Sequence, residues 1–328
     1  MNPTGAPHTM DTIRPPFATL SSWRRIATVG VLFFALVAAL AAYDVVRSHR
    51  ETVDQTGREL SAGAVVIAEQ AARSLQTIDI VLHHVATDYR AGWIAAQSAS
   101  GVHAYLANQA VGLEQVNRIV LLDAAGNEWA SSGAGDPGAA ALRNWADPVF
   151  ETLRDQPDAG LLVGATRRIA GNGELWVFPI ARRLETSTGR FAGVILAQGR
   201  VDYYQRFYRD VHPVDGTKIS LVHQNGTLLA REPAADASLG RRFPLVEQLI
   251  AASRTGNREP LRLTSPLDGV ARFGALASVT GYPLFVGVTR DVNQVFKPWR
   301  EQAIGSALRT IALALLAAAL LAVLRRQF

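Results

Sequence analysis

Few residues of this 328-residue chain have the types and spacing of a chemical site. Arg143 and Trp145 form an Arg-x-Trp pair, and a guanidinium beside an indole can clamp a carboxylate whose body is cationic or apolar. The absence of cysteine excludes a disulfide framework, a thiolate zinc site and a cysteine nucleophile. The seven histidines lack the spacing of a metal motif, and no nucleophile elbow accompanies the serines. We therefore expect a binding protein rather than an enzyme, without a metal site or cofactor.

One glycine-rich string imitates a nucleotide-binding loop. Residues 133–138 satisfy the pattern GxGxxG, but Asp136 would face the phosphates and Pro137 removes an amide donor. We interpret the string as a connection between a strand and a helix.

The net charge of +5 belongs to the two ends of the chain. Residues 51–302 carry 25 basic and 26 acidic side chains, and their basic residues are scattered among the acids. A phosphate-binding groove needs basic residues clustered on one folded face. The sequence therefore predicts no nucleic-acid partner.

Two apolar runs have the length of membrane spans. Residues 26–43 are uncharged and follow Arg24 and Arg25, and residues 304–324 are apolar apart from Arg309. We predict transmembrane helices over 26–46 and 303–324, although Ala39-Leu40-Ala41 also resembles a signal-peptide cleavage site. The flanking arginines place both ends, 1–25 and 325–328, in the cytoplasm and residues 47–302 outside it. The expected location is the inner membrane of a bacterium, with a periplasmic middle section.

A long helix is predicted over residues 47–89. Its apolar residues recur every three or four positions, which places them in one stripe: Leu60, Ala64, Ile67, Ala71, Leu75, Ile78, Leu82 and Val85. Such a stripe needs a covering surface, so we expect the chain's own modules to cover part of it and a homodimer partner to cover the rest. A second helix is predicted over 103–115, and beyond it the period changes to that of strands.

The exported segment contains an internal repeat. Residues 118–130 and 218–230 align without a gap at an offset of 100, and each pattern is typical of a strand, a tight turn and a second strand. The apolar strands within 191–204 and 282–295 also correspond. We therefore predict an α+β fold with two tandem modules, a first module at 90–210 and a second module at 211–300.

This organisation resembles the double Cache sensor domain, in which one long helix carries two PAS-like modules outside the membrane of bacterial histidine kinases, diguanylate cyclases and chemoreceptors. The segments that carry the resemblance follow one another in the family's order, at 71–86, 118–132, 147–164, 175–184, 190–208 and 281–300. In such receptors the membrane-distal module, here the first module, binds a small ligand. The membrane-proximal module, here the second, passes the change to the second transmembrane helix.

The resemblance also implies a ligand pocket between the helix near 143–150 and the facing strands. The residues it indicates are Arg143, Trp145, Trp176, Phe178, Arg182 and Gln198. The amino-acid-binding branch of the family shares the Arg-x-Trp pair but has an aromatic residue in place of Ala146 and an aspartate in place of Gln198. This favours a small carboxylate over an amino acid. The alternative interpretation is structural, with the aromatic residues in the core and the arginines in ion pairs.

These observations predict a membrane-anchored sensor whose partners are a small ligand, the lipid bilayer, a second copy of the chain and a cytoplasmic signalling effector. The effector is expected either fused in a longer form or as a separate protein, because the cytoplasmic stretches are too short for a catalytic domain. The alternative is an envelope protein that binds small molecules or acts as a scaffold, without signalling output.

Overall fold

The computed structural model describes residues 19–133, 148–169, 175–211, 216–253 and 261–327. Its contacts divide the chain into two units, Thr52–Phe296 on one hand and Met1–Glu51 with Lys297–Phe328 on the other. The first of these units contains two antiparallel sheets, so the fold is a mixture of helix and sheet. Helix α1, Thr19–Arg90, contributes to both units.

The apolar stripe of α1 forms the centre of the core. All eight of its predicted residues are at most 3% exposed, and they pack with residues from both sheets in one cluster. The periodicity therefore predicts the buried face of the helix correctly. The chain's own sheets cover the whole stripe, so the stripe itself does not require a partner helix.

Helix α2, Ala99–Ala110, lies earlier than the predicted 103–115. The Ser98 side chain accepts a hydrogen bond from the Gly101 N–H at 3.2 Å and caps the helix start. The helical path ends at Val111, which is extended with a φ of −60° and a ψ of 127°, and Gly112 follows with a left-handed φ of 82°. A short 3-10 turn, Ile94–Ala96, connects α1 with α2.

The first sheet has the order β2-β1-β6-β5-β3, and β4 also pairs with β5. Its strands are β1 Val116–Asp123, β2 Glu128–Ser131, β3 Leu161–Val163, β4 Arg167–Ile169, β5 Leu175–Glu185 and β6 Phe191–Arg200. Helix α3, residues 148–155, covers one face of this sheet through Val149 and Leu153, and α1 covers the other. We call these the α3 face and the α1 face.

The second sheet repeats this topology with the order β8-β7-β11-β10-β9. Helix α4, Val201–Val211, leads from β6 into it, and α5, Pro244–Ser253, follows β8. The strands are β7 Thr217–His223, β8 Leu228–Glu232, β9 Leu261–Thr264, β10 Ala271–Ser278 and β11 Leu284–Asp291, and a 3-10 turn spans Asp236–Ser238. Helix α6, Val292–Gln327, follows β11.

The sequence repeat corresponds to a structural one. Leu121 pairs with Ala130 in the first sheet, and Leu221 pairs with Ala230 in the second. The turns match as well, because Gly126 and Gly226 have φ values of 81° and 82°. Only glycine adopts this conformation freely, so the two glycines fix equivalent hairpins.

The other unit consists of residues 1–51 and 297–328. Among the described residues, two helices are long and apolar enough to cross a membrane, judged by length and composition. Their large apolar side chains are exposed, including Leu32, Phe33, Leu308 and Leu316. Within this unit the Trp299 Nε1–H donates to the Ser48 Oγ at 3.1 Å. So large an exposed apolar surface needs a lipid or protein covering.

Candidate ligand site in the first module

The α3 face of the first sheet is apolar at one end and polar at the other. Val120, Leu122, Val194 and Leu196 pack against α3. Gln198, two residues further along β6, is 2% exposed, and its Oε1 accepts a hydrogen bond from the Asn117 Nδ2 at 2.7 Å. Alternation along the strand therefore places an amide pair next to the apolar cluster.

A β-bulge brings an arginine to the same place. The register between β1 and β6 shifts between Val116 and Ile119, so one extra residue of β1 lies opposite β6. Ile119 belongs to the α1-face cluster and Val120 to the α3-face cluster, so the neighbouring Arg118 points to the α3 face. The bulge lets Asn117 reach Gln198 of β6 while Arg118, on the same face, reaches Glu128 of β2.

Arg118 is a buried cation with unused donors. It is 6% exposed, and its Nη2 donates to the Glu128 Oε2 at 2.8 Å. Its Nε and Nη1 are buried and have no hydrogen-bond partner among the described residues. Because an unpartnered buried donor is costly, these two atoms favour a bound anion or water.

Two of the predicted ligand residues, Arg143 and Trp145, lie outside the described residues, as does most of the 133–138 string. Of the remaining four, only Gln198 points to the α3 face. Strand β5 pairs Pro179 with Gln198, so its residues 176, 178 and 182 point to the opposite face. The structure therefore does not bring Trp176, Phe178 and Arg182 together with Gln198.

Trp176 and Phe178 instead belong to the α1-face core. Phe178 is fully buried, and its ring centroid lies 5.7 Å from that of Tyr204. Gly199 leaves room for this ring, because a Cβ atom there would come within 2.9 Å of it. Trp176 is half-buried against the same cluster. Both side chains thus lie where the alternative, structural interpretation expects them, and their role in ligand binding stays a prediction.

Arg182 is an ion-paired residue on the α1 face. Its Nη2 lies 3.0 Å from the Asp79 Oδ2 of α1, and its Nε donates to the other carboxylate oxygen. Both side chains are partly exposed in a groove that Tyr282 also lines. Burial, with the Asp79 charge, raises the pKa of Tyr282 to about 12, and the Arg182 charge opposes this. Arg182 thus ties β5 to α1 and lies on the opposite face from Gln198.

Arg118 is the residue that the sequence patterns missed. The signal that could have found it is a single charged residue in the apolar strand RIVLL. By its pattern, this segment indicates only the repeat. The described residues contain no group of three or more His, Asp or Glu side chains placed to hold a metal ion. The polar end of the α3 face therefore offers two amides and an arginine that is paired with Glu128.

The architecture defines a class of protein, because two antiparallel sheets of one topology pack on one long helix. The family model described as a histidine kinase sensor domain, dCache_1-like, matches residues 201–289. The extracellular domain of rpHK1S-Z16, a predicted histidine kinase, is 29% identical, with a TM-score of 0.63 over 75% of this chain and 98% of that one.

Two chemoreceptor structures share the fold at lower identity. The periplasmic sensory domain of Tlp1 from Campylobacter jejuni is 13% identical, with a TM-score of 0.60 over 75% of this chain and 99% of that one. The ligand-binding domain of CtaA from Pseudomonas fluorescens, solved with L-isoleucine, is 16% identical, with a TM-score of 0.52 over 76% of this chain and 97% of that one. No curated protein matches the chain. Together the family match and the structures confirm the resemblance to double Cache sensor domains of histidine kinases and chemoreceptors.

Proposed function

We propose that this protein is a membrane-anchored sensor that binds a small carboxylate in its first module and transmits the change to a cytoplasmic effector. The similarity to the extracellular domain of a predicted histidine kinase, at 29% identity over 75% of the chain, carries this proposal. The two apolar helices support anchoring in a bilayer. We place residues 47–302 in the periplasm and both ends in the cytoplasm, because arginines flank both apolar runs.

The polar end of the α3 face supports a carboxylate as the ligand. The free Nε and Nη1 of Arg118 are the charged donors that a carboxylate accepts best. The neighbouring Asn117–Gln198 amide pair can rearrange to hydrogen bond the same ligand. Glu128 neutralises part of the guanidinium charge, which favours a ligand of low charge.

Helix α4 offers a route from this face to the second module. Gln198 lies near the end of β6, and Arg200 at that end is ion-paired with Asp202 of α4 at 2.7 Å. Further along α4, Gln205 Nε2 donates to the Arg231 carbonyl of β8 at 3.1 Å, and Arg209 pairs with Glu232 at 3.3 Å. A displacement of β6 on binding therefore acts on β8 through one short helix.

The effector and a homodimer are also parts of the proposal. The α1 stripe is covered within the chain, so a second copy must use the opposite side of α1, where Val65, Val66 and Ile80 are exposed. Cysteine cross-linking at positions 65 and 66 in membranes tests this, with the buried positions 64 and 67 as controls. If neither position 65 nor position 66 forms a cross-link, the dimer is removed from the proposal.

The ligand proposal is tested with the full chain in lipid nanodiscs and a panel of monocarboxylates, amino acids and small amines. We expect a carboxylate to slow hydrogen exchange in peptides containing β1 and β6. Arg118→Met should abolish this protection. Arg182→Met is the matched control, because it removes an ion-paired arginine from the opposite face of the same sheet. Equal loss in both variants, or protection by no compound, would contradict the site.

Transmission is tested by a second readout in the same experiment. Ligand binding should change exchange in α4, in β8 and in residues 284–300, and Gln205→Leu should reduce the change beyond α4 while leaving protection of β1 intact. Protection confined to the first module in the unaltered chain would favour the envelope binding protein without signalling output.

A further inference from the structure

The second module contains a cavity of about 80 Å³ between its sheet and α5. We call it the second-module cavity. Its lining is mostly apolar and includes Val246 of α5 and Leu228, Leu263 and Leu276 of the sheet. One ordered water needs roughly 10–15 Å³ by this measure, so the cavity has room for about six small groups. It lies on the face of the second sheet that corresponds to the α3 face of the first sheet, because its residues Ser220 and Val222 match Val120 and Leu122 in the repeat.

Two buried arginines point into this apolar space. Arg231 is 8% exposed and Arg272 is 4% exposed, and both line the cavity. Arg231 Nη1 donates to the Ser220 Oγ at 3.2 Å, and Arg272 Nη2 donates to the Asp268 Oδ2 at 2.7 Å. The Nε and Nη1 of Arg272 are buried without a hydrogen-bond partner among the described residues.

The charges around the cavity do not balance. Among the described residues, two guanidinium groups face a single carboxylate, Asp268, and no acidic residue lines the cavity. Burial lowers the pKa of Arg231, and the charge of Arg272 lowers it further. Burial raises the pKa of Asp268, but hydrogen bonds from Ser265 and Arg272 outweigh it and keep the carboxyl ionised. One positive charge therefore remains in a mostly apolar site, where an uncompensated charge is costly.

We propose that the second-module cavity is a binding site for a short-chain monocarboxylate of about six non-hydrogen atoms or fewer. The carboxylate accepts hydrogen bonds from the free Nε and Nη1 of Arg272, and Arg231 supplies the second positive charge. The aliphatic body lies among Leu228, Leu263 and Leu276. This site is separate from the one proposed in the first module and does not depend on it.

The test uses the full chain in lipid nanodiscs, with propionate as the probe and propionamide as its neutral isostere. At 100 times its dissociation constant, propionate should raise the unfolding midpoint by roughly 5–10 °C and slow hydrogen exchange in residues 261–276. Arg272→Met should weaken propionate binding by about 100-fold, since two charged hydrogen bonds are lost. Without ligand, its midpoint should stay unchanged or rise, because the uncompensated charge is gone.

Three further variants make the test decisive. Arg231→Met should also abolish the propionate effect, and it carries the test if Arg272→Met does not fold. Arg290→Met is the matched control, because Arg290 pairs with Glu59 of α1 on the other face of the same sheet. It should retain the full propionate response, as should Arg118→Met in the first module.

Several outcomes would overturn the proposal. An equal response to propionamide would exclude the carboxylate as the recognised group. A response to inorganic phosphate alone would replace the carboxylate by an inorganic anion. A propionate response that persists in both Arg272→Met and Arg231→Met would place the ligand elsewhere.

Discussion

Gly240→Ala should loosen the junction between the two modules. Gly240 has a φ of 74°, and a Cβ atom there would lie 2.1 Å from the carbonyl oxygen of Thr166 in the first module. Thr166 is buried and its Oγ1 donates to the Leu229 carbonyl of β8 at 2.8 Å. The methyl group must push this backbone away, because the contact is with a carbonyl rather than with a flexible side chain.

The magnitude follows from three contributions. Left-handed backbone costs a non-glycine residue about 1–2 kcal/mol. Loss of the Thr166–Leu229 hydrogen bond costs about 1 kcal/mol, and displacement of well-packed atoms adds about 1 kcal/mol. The free energy of unfolding should therefore fall by about 3–4 kcal/mol.

Urea unfolding of the full chain in nanodiscs, followed by tryptophan fluorescence, measures this loss. Gly189→Ala is the matched control, since Gly189 has a φ of 79° and a Cβ atom there would meet no atom within 4 Å. It should cost only the backbone strain, about 1–2 kcal/mol. Thr166→Val, which keeps the shape and removes the hydroxyl, should cost about 1 kcal/mol. Equal losses for the two glycine variants would refute the close contact between the modules.

Three other predictions concern residues of the first module and the repeat turn. Phe178→Ala should lower the free energy of unfolding by about 3–5 kcal/mol in the same urea assay, because a large fully buried ring is removed, and Trp176→Ala should cost less. A double-mutant cycle of Asp79→Asn and Arg182→Met should give a coupling of about 1 kcal/mol or less, since both side chains are partly exposed; a larger coupling would mean a desolvated pair. Burial lowers the pKa of His223, so the folded chain disfavours its protonation and should lose stability as the pH falls below about 6.5. His223→Gln should flatten this dependence in unfolding measured from pH 7 to pH 5, and an unchanged slope would contradict the role of His223.

The parts of the fold that the sequence predicts depend on local signals. The α1 stripe follows from a period of three to four residues, which requires no knowledge of distant partners. The two hairpins follow from Gly126 and Gly226 at equal places in the repeat, because a left-handed turn favours glycine. The apolar spacing predicts helix α2 several residues too late, because its start depends on the Ser98 cap.

The candidate site depends on strand register, which is not local. Trp176, Phe178 and Arg182 share one face of β5, as the alternation predicts, but the pairing of Pro179 with Gln198 decides which face that is. A shift of one residue would exchange the two faces, so composition alone cannot make the assignment. The burial of Arg118 cannot be predicted from the sequence for a related reason. Its burial depends on the bulge in β1 and on Glu128 in the next strand.

The two faces of each sheet differ in the same way. The α1 faces are largely filled by the apolar stripe, whereas the opposite faces carry the buried arginines with unused donors. Gln205 of α4 bonds the backbone of Arg231 itself, so the route from the first module reaches a residue of the second-module cavity. Linkage then requires any coupling to be reciprocal, so that each ligand changes the affinity of the other by the same factor. We expect Gln205→Leu to bring this common factor to unity, and an unchanged factor in the variant would show that the two sites do not communicate through α4.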